Sequence, residues 1–188
     1  MTTSAIAALI LWSVLSVASL WVWLPTRPSA GKPLLARTAT LVAVLVTLVV
    51  GTGLVAVLGA VGEPVSGPLT WVVISVAAAA ALLTGGAVTS CVLDLADGSS
   101  RRTGVRVRRT VLRGGAWIGA LERLGIVATL LAGWPDGLAV ILAVKGLARY
   151  PELKTGPSSG AAERFIIGTF ASIGWAAGCA GVAWALIR

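Results

Sequence analysis

TATLVAVLVTLVVGTGLVAVLGAV, residues 38 to 61, runs for 24 positions without one ionisable side chain. The hydrocarbon core of a bilayer is about 30 Å thick and is crossed by about 20 apolar residues in a helix. Valine favours strands in water, but lipid offers the backbone no hydrogen-bond partner. A lone stretch of this length must therefore pair its own peptide groups as a helix.

Working outward, comparable stretches appear on both sides. One runs from Ser4 to Leu24 and ends at Trp21, Trp23 and Pro25. Another runs from Leu69 to Leu93, with Trp71 at its start and alanines from Ala77 to Ala81 inside. A fourth covers Ala116 to Gly133, and a fifth, shorter one reaches Tyr150 after the Trp134-Pro135-Asp136-Gly137 turn. The last runs from Ala161 to Ile187, with Trp184 near its end. Tryptophans at segment ends suit the membrane–water interface. The pattern predicts an all-α, polytopic transmembrane helical bundle of about six hydrophobic segments. The fifth segment is short enough either to span or to re-enter beside the fourth. Three regions result: a three-helix membrane region over 1–93, an Arg-rich loop over 94–115, and a second three-helix membrane region over 116–188.

Composition agrees. The chain has 188 residues, 57% hydrophobic and 12% charged, with a net charge of +8. Soluble domains carry roughly 25% charged residues. There is no histidine, which removes the commonest metal ligand and the usual general base. Cys91 and Cys179 fall at different depths of the bundle, so neither a disulfide nor a zinc site of the usual kind is expected. Met1-Thr2-Thr3-Ser4 lacks a basic side chain, so the first apolar stretch reads as a retained helix, not a cleaved signal.

Basic residues fix an orientation. Arg27, Lys32 and Arg37 follow the first span, and Arg101, Arg102, Arg106, Arg108, Arg109 and Arg113 follow the third. The turn after the second holds Glu63 and no base. Lys and Arg collect on the cytoplasmic side. The N-terminus and the turns at Glu63 and Asp136 are therefore expected outside, and the Arg-rich loop in the cytoplasm.

Charges inside apolar segments are costly and tend to find partners. On a helical wheel Glu122 shares a face with Gly115, Gly119, Ile126, Thr129 and Gly133, so it is expected to point at a neighbouring helix across small residues. Arg123 points elsewhere and is expected to snorkel to the inner surface. Lys145 and Arg149 lie four apart on one face of the fifth helix. Glu163 opens the last span on a face with Ala171, Gly174, Gly178, Gly181 and Ala185, expected to pack as a small-residue stripe. By depth, Glu122, Lys145, Arg149 and Glu163 form a candidate inner-leaflet cluster. It is first a structural ion-pair network, and second a polar route for a proton or ion.

If helical, the segment around Arg102, Arg106, Arg109 and Arg113 carries those four on one stripe. It sets topology, or it lies on anionic lipid headgroups. Nucleic acid is not an expected partner, because no aromatic side chain interleaves the arginines. No phosphate-binding Gly-Lys-Ser/Thr loop, Gly-x-Ser-x-Gly elbow or metal-spaced ligand set is present, so no cofactor or catalytic residue is expected.

Three motifs stand in order near the C-terminal end. Trp117-Ile118-Gly119-Ala120-Leu121-Glu122-Arg123-Leu124 is similar to an Ile-Gly-x-Leu-Glu-Arg-Leu motif. Ala143-Val144-Lys145-Gly146-Leu147-Ala148-Arg149-Tyr150 resembles an Ala-x-Lys-x-x-x-Arg-aromatic motif. Ala162-Glu163-Arg164-Phe165-Ile166-Ile167-Gly168-Thr169 resembles an Ala-Glu-x-x-Ile-Gly-Thr motif. Together they resemble the membrane half of a bacterial family of uncharacterised membrane proteins, over roughly residues 114 to 175. The resemblance implies a bacterial plasma-membrane location and groups Glu122, Arg123, Lys145, Arg149 and Glu163 in one unit. It implies no activity, and the histidine–aspartate motif often found in such proteins has no counterpart here. The function expected is that of a structural or interaction protein of the membrane, self-associating or with other partners. A small transporter or channel using the cluster around Glu122 comes second, and an intramembrane enzyme third.

Overall fold

The computed structural model describes residues 3–23, 34–100, 115–155 and 161–188. Within them every regular element is a helix: α1 Thr3–Trp23, α2 Leu34–Val61, α3 Pro68–Ser100, α4 Gly115–Leu131, α5 Asp136–Thr155 and α6 Ala161–Ile187. Three stretches are long and apolar enough to cross a membrane: Val42–Val61, Pro68–Ala96 and Ala162–Ile187. Helix α1, Thr3–Trp23, carries no charged side chain over its 21 residues.

Two element ends differ from the sequence expectation. Helix α3 does not stop at Leu93; it carries on through Asp94 and Asp97 to Ser100. Helix α5 does not stop at Tyr150; it passes through Pro151 to Thr155. At 20 residues it is about 30 Å long. Proline removes one helical donor and crowds the preceding turn, which is why the sequence alone suggested a stop there. Pro151 lies near the end of α5, where one lost bond is least disruptive. The arginines of the loop, Arg102, Arg106, Arg109 and Arg113, lie outside the described residues, as do Arg27 and Lys32.

Helices α3 and α6 form the centre, packed along their length, with α1 and α2 on one side and α4 on another. Helix α5 leans chiefly on α4. The central contact is made by small side chains: Ala77, Ala80 and Ala81 on α3 face Ala176, Cys179 and Ala183 on α6, all buried. Small residues let backbones approach closely, and this sustains helix association where lipid competes for every apolar contact. Larger groups fill the flanks: Trp12 from α1, Val55 from α2, and Ile126 and Val127 from α4. Leu15 sits over Gly51, and Leu186 over Gly59. Both cysteines are free thiols in the interior.

The outer surface inverts the rule for soluble proteins. Val50, Val57, Trp71, Trp117, Leu121, Leu147 and Phe170 all lie exposed. Such a surface is stable where lipid is the solvent. Several hydroxyls on these helices bond to their own backbones. Ser13 donates to the Leu9 carbonyl at 2.8 Å, Ser16 to that of Trp12 at 2.8 Å, and Thr89 to that of Gly85 at 2.8 Å.

Two turns fix the helix ends. Between α2 and α3, the Val65 N–H donates to the Leu186 carbonyl at 2.8 Å. That bond satisfies a carbonyl left open at the end of α6 and puts the α2–α3 turn beside the C-terminal end of the chain. Between α4 and α5, Trp134 N–H reaches the Thr129 carbonyl at 2.9 Å and Gly133 N–H the Leu130 carbonyl at 3.1 Å. Gly133 has a φ of 74°. This is a Schellman cap with glycine in the left-handed position, followed by Pro135.

Candidate functional site: a polar junction between α3, α4 and α6

Helix α4 carries Glu122 and Arg123 one position, about 100°, apart on its circumference. They enter different environments. Glu122 faces α5, where the Lys145 ammonium donates to its carboxylate. Both side chains are largely buried, and the pair ties α5 to α4 across the hairpin.

Arg123 overturns the expectation of snorkelling. It is 7% exposed and lies in the junction of α3, α4 and α6. Its Nη1 donates to Ser172 Oγ at 3.5 Å. Gly85 on α3 makes the space: a methyl group there would stand 2.7 Å from Arg123 Nε and 3.3 Å from Trp175 Cδ1. Gly119, one turn earlier on α4, lies under the guanidinium, 3.3 Å from Nη1 to the point where a Cβ would be. The buried face of α4 thus runs through Arg123, Ile126 and Val127, not through Glu122. The wheel was turned because it centred the face on the acid and its glycines. Arg123 snorkels only if its helix presents that side to lipid, and it does not.

Around Arg123 the junction is polar. Thr84 Oγ1 donates to the Ala80 carbonyl at 2.6 Å and accepts Trp175 Nε1 at 2.6 Å, which pins the indole across the α3–α6 contact. Ser172 is 4% and Thr169 8% exposed, one turn apart on α6. Among the described residues, two buried side-chain polar atoms have no partner: Arg123 Nε and Thr169 Oγ1.

Sequence reading missed Thr84, Gly85, Thr169, Ser172 and Trp175. A signal was present, since Thr169, Ser172 and Ala176 share a face of α6 at spacings of three and four. The glycine stripe on the opposite side of α6 is placed differently from expectation. Glu163, Gly174, Gly178 and Gly181 are exposed, with no neighbouring atom within 4 Å of where a Cβ on each of the three glycines would be. Packing of α6 falls to Ala176, Cys179, Ala180 and Ala183, about half a turn away. Gly115 is likewise exposed and open. Of the candidate charge cluster, the structure brings Glu122 and Lys145 together, sets Arg123 against Ser172, and leaves Glu163 on the exterior of α6. Arg149 is helical, and its side chain lies outside the description. Among the described residues no group of three or more His, Cys, Asp or Glu could hold a metal.

No family model, curated protein or solved structure matches the chain.

Proposed function

We propose that this chain is a multi-pass integral membrane protein with a structural or interaction role and no catalysis of its own, and that it works through the outward face of α6. One observation carries this reading. Helix α6 buries one small-residue face inside the bundle and leaves a second, Gly174, Gly178 and Gly181, uncovered. A glycine groove flanked by Phe170 and Trp184, both exposed, offers another transmembrane helix the close approach that small residues permit.

Placement in the membrane follows the basic loops: N-terminus outside, residues 101–113 in the cytoplasm, and the Glu63 turn outside. Tryptophan positions support a spanning arrangement. Trp71 and Trp184 lie near the end marked by the Val65–Leu186 bond, while Trp117 and Trp134 flank the two ends of α4, whose 17 residues measure about 25 Å. All four are exposed, as suits two interfacial belts. A bacterial plasma membrane is the setting that the resemblance of residues 114 to 175 suggests. The pairing of Glu122 with Lys145, drawn from its first two motifs, supports treating that region as one unit.

The test uses the full chain in cells, with a photo-crosslinking amino acid at Gly178. Adducts with a second copy or another membrane protein are expected. Adducts with lipid alone would sink the interaction reading. A transporter or channel role is the second reading, favoured by the polar junction so close to Glu122. Reconstituted protein and its Glu122→Gln variant separate the two: ion flux lost in a well-folded variant would replace the first reading with the second.

A further inference from the structure

Five hydroxyls in this bundle, on Ser13, Ser16, Thr84, Thr89 and Thr129, bond to carbonyls three or four residues earlier in their own helices. Thr169 does not, although it is as deeply buried. Its hydroxyl is spent on nothing in the protein. One turn on along α6, Ser172 accepts a hydrogen bond from Arg123 Nη1, so its own hydroxyl proton remains free to donate.

Arginine shows the same incompleteness. With Nη1 turned to Ser172, the edge that remains carries Nε–H and Nη2–H, the fork that matches two oxygens of a carboxylate or phosphate. Nε is buried without a partner. Charge is unbalanced as well. Glu122, next to Arg123 in the chain, has its carboxylate held by Lys145. A water molecule would complete the hydrogen bonds but leave the guanidinium uncompensated, and an uncompensated charge in such surroundings is costly.

We propose that Arg123, Thr169 and Ser172 form a binding site for a phosphate group, seated between α4 and α6 in the inner half of the bundle. Two donors from the guanidinium fork and one from each hydroxyl suit a tetrahedral oxyanion. Its depth is on the side of the inner leaflet. Gly85, which backs the guanidinium, lies 17 residues beyond Pro68, about 25 Å from the α2–α3 turn. With that turn outside, the site falls in the inner half of a core about 30 Å thick, about 9 Å deeper than Trp117 on α4. A lipid headgroup and inorganic phosphate entering from the cytoplasm offer the same oxygens. The site stands independently of any partner for α6.

The experiment uses full-length protein purified in detergent, with Arg123→Met and Thr169→Val as variants. Native mass spectrometry counts phospholipid retained from the membrane, and thermal unfolding of delipidated protein is followed against inorganic phosphate, with chloride at equal ionic strength as control. Wild type should keep one phospholipid, or be stabilised by phosphate and not by chloride. The first result identifies a lipid headgroup and the second a free anion. Arg123→Met should abolish the response, and Thr169→Val should weaken it about tenfold or more, as expected for one hydrogen bond to a charged group. If Arg123→Met does not fold, Thr169→Val decides, because it exchanges a hydroxyl for a methyl of nearly equal size. Neither lipid nor phosphate bound by wild type, or equal binding by a folded variant, overturns the site.

Discussion

Lys145 of α5 holds the carboxylate of Glu122 of α4, while the adjacent Arg123 turns its back on both and reaches α6. The two neighbouring charges thus serve separate contacts. Glu122 fastens a helix that packs on little besides α4. Arg123 fills the junction that α3 and α6 leave open at Gly85.

The ion pair should be needed only as a pair. Removing one member leaves its partner charged and largely buried, which costs about 3 kcal/mol or more. Glu122→Gln and Lys145→Met should each lower the unfolding midpoint in detergent. The double variant Glu122→Leu with Lys145→Met should recover most of the loss, since an apolar pair of similar volume often matches a buried ion pair. Single variants as stable as wild type would show that α5 does not depend on this contact.

Gly85 and Gly86 make a matched comparison in the middle of α3. A methyl group at Gly85 would strike Arg123 and crowd Trp175, whereas one at Gly86 meets nothing within 4 Å. Helix propensity favours alanine over glycine by about 1 kcal/mol at either position. Gly86→Ala should therefore hold or raise the unfolding midpoint, and Gly85→Ala should lower it as the guanidinium is displaced. Equal effects would mean that Arg123 does not occupy the junction.

Much of this fold is legible because lipid simplifies the problem: an uncharged run of 24 residues such as 38–61 has one secondary structure open to it. Segment positions followed directly, with ends shifted where Asp94 and Pro151 looked like stops. Neither is one, since an acid past the hydrocarbon and a proline in a last turn are both tolerated by a helix. Facing was harder. Glu122 and Arg123 compete for the inward side of α4, and a wheel cannot rank them. Val127, on Arg123's side, together with the gap at Gly85, decides in favour of the base. On α6 two small-residue faces lie on opposite sides, and periodicity alone does not tell which one meets α3.

Topology is open to direct labelling. Cys91 and Cys179 are both buried, so a membrane-impermeant maleimide should leave them unmodified until the protein is unfolded. A Glu63→Cys variant should then react on intact cells, because Glu63 sits exposed in the α2–α3 turn. An Arg106→Cys variant should react only after the membrane is opened. Reaction of Arg106→Cys on intact cells, with Glu63→Cys protected, would invert the orientation proposed from the basic loops.

The α4–α5 hairpin rests on glycine in two different ways, and substitution separates them. Gly133 takes a φ of 74° with open space around it. Alanine there meets no atom but must hold a left-handed backbone, at a cost of about 1 kcal/mol. Gly137 has no such φ. A methyl there would stand 2.9 Å from Trp134 Cε3 and 3.0 Å from Thr129 Cβ, so alanine pushes the start of α5 off the end of α4. Gly133→Asn should be nearly neutral, because asparagine tolerates the left-handed region, and Gly137→Asn should be worse than Gly137→Ala. Both sets can be read from unfolding midpoints of the full chain in one detergent. If Gly133→Asn and Gly133→Ala are equally damaging, the cap is not a Schellman turn. If Gly137 tolerates alanine freely, the two helices do not meet as closely as the hairpin requires, and the Glu122–Lys145 contact loses the frame that aligns it.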